Sequence, residues 1–268
     1  MSTRRMRFGP IGWYPAQRSR CEAAIAEFDH DRPRAEKLPD PIVAAIVPHA
    51  GWSYSGRTAW AAIATLPDAD VVVLFGNDHR GRARRPALMA EGAWETPFGD
   101  LQVDAEFAAR LLEAKVAVLD ERAHQEEHSV ELQMPLLSKR FPNARVVPIL
   151  VPHTDDAKRL GEAAARIAGE CGRRVVAIGT TDLTHYGQDQ YGFAPAGEGP
   201  EALPWMKKND ASIIDLMRRL AVDEVYAEVE AKGNACGAGP IVATLACAPA
   251  RGSAGGVAVH YTTSADAA

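Results

Sequence analysis

Ile46-Val47-Pro48-His49-Ala50-Gly51-Trp52 is the stretch that decides how this chain is read. Ile42 to Val47 is a nearly unbroken apolar run, the pattern of a strand covered on both faces of a sheet. Pro48 ends strand pairing and Gly51 permits a sharp turn, so His49 stands just past the strand's carboxyl end. In open α/β sheets that is the edge where ligands bind. The same arrangement occurs twice more. Val71 to Phe75 leads into Gly76-Asn77-Asp78-His79-Arg80-Gly81, and Val175 to Ile178 leads into Gly179-Thr180-Thr181-Asp182-Leu183-Thr184-His185-Tyr186-Gly187. Imidazoles from three loops at one sheet edge point to a metal site, or to a general base beside one.

Outward from these runs, the chain alternates strands and helices. A helix capped by Ser53 or Ser55 runs to about Leu66. Residues 86–104 read as irregular or short-strand structure, Ala105 to Lys115 as a helix, and Val116 to Leu119 as a short strand. Ser129 is positioned to cap a helix through Lys139, bent or restarted at Pro135. Arg145 to Val151 is a buried strand, followed by a helix from about Asp155 to Gly169. The Gly- and Pro-rich stretch 186–204 is a long loop and a candidate lid. Helices are expected over Asn209–Leu220, Val222–Lys232 and from Cys236 to about Cys247, with a closing strand at Val257–Tyr261. The alternation predicts an α/β fold, a three-layer α/β/α sandwich around a mostly parallel or mixed sheet, in a single domain over 1–268. The first strand is followed by no G-x-G-x-x-G, so a dinucleotide site is not supported.

With 268 residues, 47% hydrophobic and 24% charged, the composition is that of an ordinary globular chain. A net charge of −5 argues against nucleic acid as a partner. No apolar run approaches the roughly 18 residues needed to span a bilayer, and the basic start Met1–Arg7 lacks the apolar core of a secretory signal. Cys21, Cys171, Cys236 and Cys247 are far apart and form no CxxC pair, so a cytoplasmic protein with reduced thiols is expected.

Cys236 lies in Gly233-Asn234-Ala235-Cys236-Gly237 at an expected helix start, where the helix terminus favours the thiolate, the form that binds metals or attacks. The other three cysteines read as core. Glu126-Glu127-His128-Ser129 admits three readings: a general acid/base pair, groups orienting a metal ligand, or a solvated helix start. Asp182, three residues before His185, reads as an orienting carboxylate. Arg80, Arg82, Arg84 and Arg85 follow His79 directly; a solvated loop explains them, and an anionic substrate is the second explanation.

Pro48-His49-Ala50-Gly51 with Tyr54-Ser55-Gly56, then Asn77-Asp78-His79, Glu127-His128-Ser129-Val130-Glu131, Thr181-Asp182-Leu183-Thr184-His185-Tyr186-Gly187 and Ala235-Cys236-Gly237 together resemble the MEMO family, from about residue 7 to 262. Bacterial and archaeal members of that family are often labelled AmmeMemoRadiSam system protein B. The resemblance therefore implies AMMECR1-domain and radical-SAM proteins as partners. It also implies the fold of class III extradiol dioxygenases, which hold non-haem Fe(II) with two histidines and a carboxylate. Carried across by motif, His49 and His79 are metal ligands, His185 is the acid/base, and Asp182, Glu127 and His128 support catalysis. Cys236 takes the place of the carboxylate, and a softer thiolate makes Cu or Zn credible beside Fe(II). The implied function is an Fe(II)-dependent, dioxygenase-like or redox enzyme acting on a small, anionic or aromatic substrate. The alternative is a Cu- or Fe-binding scaffold without turnover that serves protein–protein interaction.

Overall fold

The computed structural model describes residues 3–33 and 37–266. A short strand β1 (Thr3–Arg4) and helix α1 (Arg18–His30) precede β2 (Ala44–Val47), α2 (Trp52–Ile63) and β3 (Val71–Gly76). Short strands β4 (Ala87–Leu88), β5 (Ala93–Thr96) and β6 (Gly99–Gln102) lead to α3 (Ala105–Glu113) and β7 (Val118–Leu119). Then come α4 (Met134–Arg140), β8 (Arg145–Leu150), α5 (Asp156–Glu170) and β9 (Val175–Thr180). The chain ends through α6 (Gln188–Tyr191), α7 (Ala202–Arg219), α8 (Val225–Lys232) and α9 (Ala238–Cys247).

The main sheet has the order β2-β9-β3-β8-β4-β7, and β1-β5-β6 form a smaller one. β2, β9, β3 and β8 run parallel, while β4 is antiparallel to β8, so the sheet is mixed. Because side chains alternate across a strand, β3 feeds both faces. Val72 and Leu74 join Ile25, Trp60, Ile63 and Leu136 on the α1/α2/α4 side. Val71, Val73 and Phe75 join Phe107, Leu160 and Ile241 on the α3/α5/α9 side. Two separate apolar layers on one sheet make the expected three-layer α/β/α sandwich.

Several expectations are corrected. Val257–Tyr261 is not a strand; the stretch is irregular and its main chain is unpaired among the described residues. Its β-branched residues have no partner in register, and propensity alone does not make a ladder. Ser129 caps no helix: its hydroxyl donates to the Asn77 carbonyl at 3.0 Å, and α4 begins at Met134 with Pro135 in its first turn. α7 starts at Ala202 rather than Asn209, since Pro204 is tolerated within a first helical turn. The expected loop 186–204 ends at 201, where α7 begins, and is interrupted by the single turn α6.

Candidate metal centre

β9 lies between β2 and β3, so three neighbouring parallel strands end at one edge. The loop after β2 carries His49, the loop after β3 carries His79, and the loop after β9 carries Asp182 and His185. Two glycines let further segments reach this edge. A Cβ at Gly76 would stand 2.3 Å from Val130 Cγ2, so its absence lets 127–130 press onto the end of β3. A Cβ at Gly237 would stand 2.6 Å from the Thr180 carbonyl oxygen, so its absence lets Cys236 meet the end of β9.

His49 is fully buried. Its Nδ1 lies 2.9 Å from Thr180 Oγ1, which leaves Nε2 facing Cys236 Sγ at 3.2 Å. The backbone is held as firmly, because Asp182 Oδ1 accepts from the amides of His49 at 2.7 Å and Ala50 at 3.1 Å. His79 depends on Glu127 in a similar way. Its amide donates to Oε2 at 2.8 Å and its Nδ1 to Oε1 at 2.9 Å, while the Ser129 amide also donates to Oε1 at 2.8 Å. Each histidine thus has Nδ1 held by an oxygen, and His49 turns Nε2 toward Cys236, the orientation seen in metal-binding imidazoles. His128 stacks on His79 with centroids 4.3 Å apart and planes 19° from parallel, and His49 stands at 85° to both rings. One ligand atom from each of His49, His79 and His128 lies within 4.8 Å of the others, and this His-rich cluster fits a metal ion.

Burial, with the neighbouring His79 and His128, holds His49 well below the ordinary imidazole range. His128 falls to about 4, mainly through burial and then through His79. For Glu127 burial works upward, but the bond and charge of His79 and the Ser129 amide outweigh it and bring the carboxyl to about 2. His49 and His128 are therefore neutral imidazoles near the ionised Glu127 carboxylate. Cys236 departs from the sequence expectation of a thiolate. It stops short of α9, whose first residue is Ala238, and burial with the adjacent Asp182 pushes its thiol up to about 12. Without a cation the thiol keeps its proton; a metal would displace it.

The other expected residues fall nearby, with one change of partner. Asp182 binds the His49 and Ala50 amides and orients the β2 loop, not His185. The His185 ring stacks on Tyr191, centroids 4.9 Å apart, and lines a cleft of about 1080 Å³ that also takes in His79, His128 and Asp182. Sequence reading misses Thr180, the ring partner of His49, and Trp13, whose ring lies 4.9 Å from His128. Thr180 directly follows an apolar run, and that is the available signal; Trp13 has none. No helix among the described residues is long and apolar enough to cross a membrane.

An uncharacterized protein from Escherichia coli K12 superposes with a TM-score of 0.50 at 15% identity, covering 79% of this chain and 89% of its own, a likeness of fold alone. A MEMO1 family protein of Methanococcoides burtonii is 36% identical, over 95% of this chain and 90% of its own length. A MEMO1 family protein of Pyrococcus horikoshii is 34% identical, over 83% and 80%. The family model described as Memo-like protein matches residues 10–268, so this chain belongs to the Memo-like protein family.

Proposed function

We propose that this protein is a cytoplasmic, non-haem metal enzyme of oxidoreductase type, with Fe(II) the first choice of ion and Cu or Zn the alternatives, held by His49, His79 and Cys236. The observation that carries the reading is the ring geometry. At 4.3 Å between centroids, near-parallel rings are stacked face to face, so the in-plane lone pairs of His79 and His128 run side by side. One ion accepts in-plane donation from only one of them without a ring turning. His79 is the one fixed by Glu127; His128 Nδ1 stays 3.6 Å from that carboxylate. His49, perpendicular to both, converges with either, and Cys236 already lies against its free nitrogen.

A bound ion would supply Lewis acidity and, if redox-active, electrons for oxygen chemistry. The chain supplies the rest. Glu127, an acceptor only, fixes the tautomer that leaves a lone pair on the second nitrogen of His79, and Thr180 holds the His49 ring with Nε2 toward Cys236. Cys236 gives up its thiol proton on binding. His185, which lines the cleft and meets no carboxylate among the described residues, would take and return a proton from a small anionic or aromatic substrate. The rings of Trp13 and His128, 4.9 Å apart, give the cleft an aromatic part of its lining. A second reading, a metal-binding scaffold that serves AMMECR1-domain or radical-SAM partners without turnover, is supported by what the family resemblance implies, namely that Cys236 takes the place of a dioxygenase's carboxylate.

The test is anaerobic purification with elemental analysis, then oxygen uptake against a panel of catechols. His49→Ala and Cys236→Ala should lose the metal, while His128→Ala keeps most of it. Loss in His128→Ala with retention in Cys236→Ala would move the site to three imidazoles. His185→Ala should keep the metal and lose turnover. A metal-loaded wild type without oxygen uptake would leave the scaffold reading.

A further inference from the structure

The segment 253–264 crosses the cleft as a strap. It leaves α7 through one main-chain bond, from the Gly256 amide to the Arg218 carbonyl at 2.8 Å. Residues 257–262 then make no main-chain hydrogen bond among the described residues. Two side chains hold the strap instead: His260 Nδ1 lies 2.8 Å from Thr58 Oγ1 on α2, and the Tyr261 hydroxyl donates to Asp210 Oδ2 on α7 at 2.6 Å. His260 and Tyr261 line the same cleft as Asp182 and His185.

Asp210 is buried and both its oxygens are engaged. While Oδ2 takes Tyr261, Oδ1 accepts from the Thr184 amide at 3.0 Å and from the Thr184 hydroxyl at 2.5 Å. Thr184 is the residue next to His185, and the adjacent Asn209 donates to the same hydroxyl at 3.0 Å. One carboxylate thus ties the strap to the loop that carries His185. We propose that Asp210 is a positioning residue that couples the two, so that releasing the Tyr261 end of the strap to admit a ligand and loosening His185 are a single event. Without the Tyr261 donor the Asp210 carboxylate is held from one side only and is free to turn, which weakens its grip on Thr184 and is the physical link between the two bonds. The coupling deepens the proposed enzymatic reading, on which it rests only for the role of His185.

The test compares three variants of the full chain. Thermolysin cleavage within 253–262 reports strap opening, and NMR-detected exchange of the Thr184 amide reports the loop. Tyr261→Phe, which touches only the strap, should raise both rates about tenfold. Asp210→Asn should raise both at least as far, and the double variant no further. Thr58→Val frees the other tie and should speed cleavage while leaving Thr184 exchange at the wild-type rate. Thr184 exchange unchanged in Tyr261→Phe, or raised equally in Thr58→Val, would overturn the coupling. A cobalt-loaded sample adds a separate arm, with chelator stripping the metal faster from Tyr261→Phe. If the wild type takes up no cobalt the metal reading fails, and cleavage and exchange still decide the latch.

Discussion

The two sides of the cleft are built differently. On the β2/β3 side, His49 and His79 are each fixed twice, by ring and by backbone amide, to the buried Thr180 and Glu127 and the partly buried Asp182. On the β9 side, the His185 ring has a stacking contact with the half-exposed Tyr191, and its loop is anchored one residue away through Thr184. The contrast matches a division of labour. Donors that must meet one ion do best when already held in place, because any freedom left in them is lost on binding. A group that passes protons to a visiting molecule needs room to follow it.

Removing the hub of the rigid side should have the largest effect. Glu127→Ala leaves the His79 ring nitrogen and two amides without their acceptor, so it should cost about 3 kcal/mol in urea unfolding and lower metal affinity roughly 10–100-fold. Full retention of affinity would break the comparison. Asp182→Ala removes the acceptor of the His49 and Ala50 amides but leaves the ring bond to Thr180. A loss of about 2 kcal/mol is expected by the same measurement, with a smaller effect on metal binding.

Acid should reach the rigid side in two stages in the metal-free protein. His49 and His128 have folded values below the ordinary 6.5, with His128 at about 4. The unfolded chain therefore takes up protons first, and stability falls as the pH drops from about 6.5 toward 4. Glu127, with a folded value of about 2, contributes stability that is present above its ordinary 4.5 and lost from there downward. Urea midpoints across this range check both stages, and only the lower one should vanish in Glu127→Ala. The smallest effect belongs to the adaptable side. Tyr191→Ala should change stability by about 0.5 kcal/mol and leave metal affinity unchanged, while the ring NMR lines of His185 shift. A metal loss there would erase the distinction between the two sides.

The strands that place the centre are legible because each is an apolar run covered on both faces, and His49, His79 and His185 are legible because they follow such runs. His128 carries a weaker signal: only the bare side of Gly76 lets its segment reach the end of β3, and a sequence does not display that contact. The opposite failure occurs at 257–261, where Val257, Val259 and Tyr261 have strand character yet pair with nothing. The Cys236 thiol is misjudged when a nearby helix start is weighed without the burial that opposes it. Asp182 is legible as an orienting group but not in its partner, since contacts between loops 133 residues apart leave no local trace.

The outer rim of β2 has a consequence for behaviour at high concentration. The carbonyls of Val43 and Val47 turn toward β9, so the main-chain groups of Ala44 and Ile46 turn away from it with no strand beyond. A bare rim of this kind ordinarily recruits other molecules edge to edge. Here it is only four residues long and lines the cleft together with the strap. A flat sheet from a neighbouring molecule cannot enter such a recess. The hollow that admits a ligand therefore also keeps copies of the chain from zipping together.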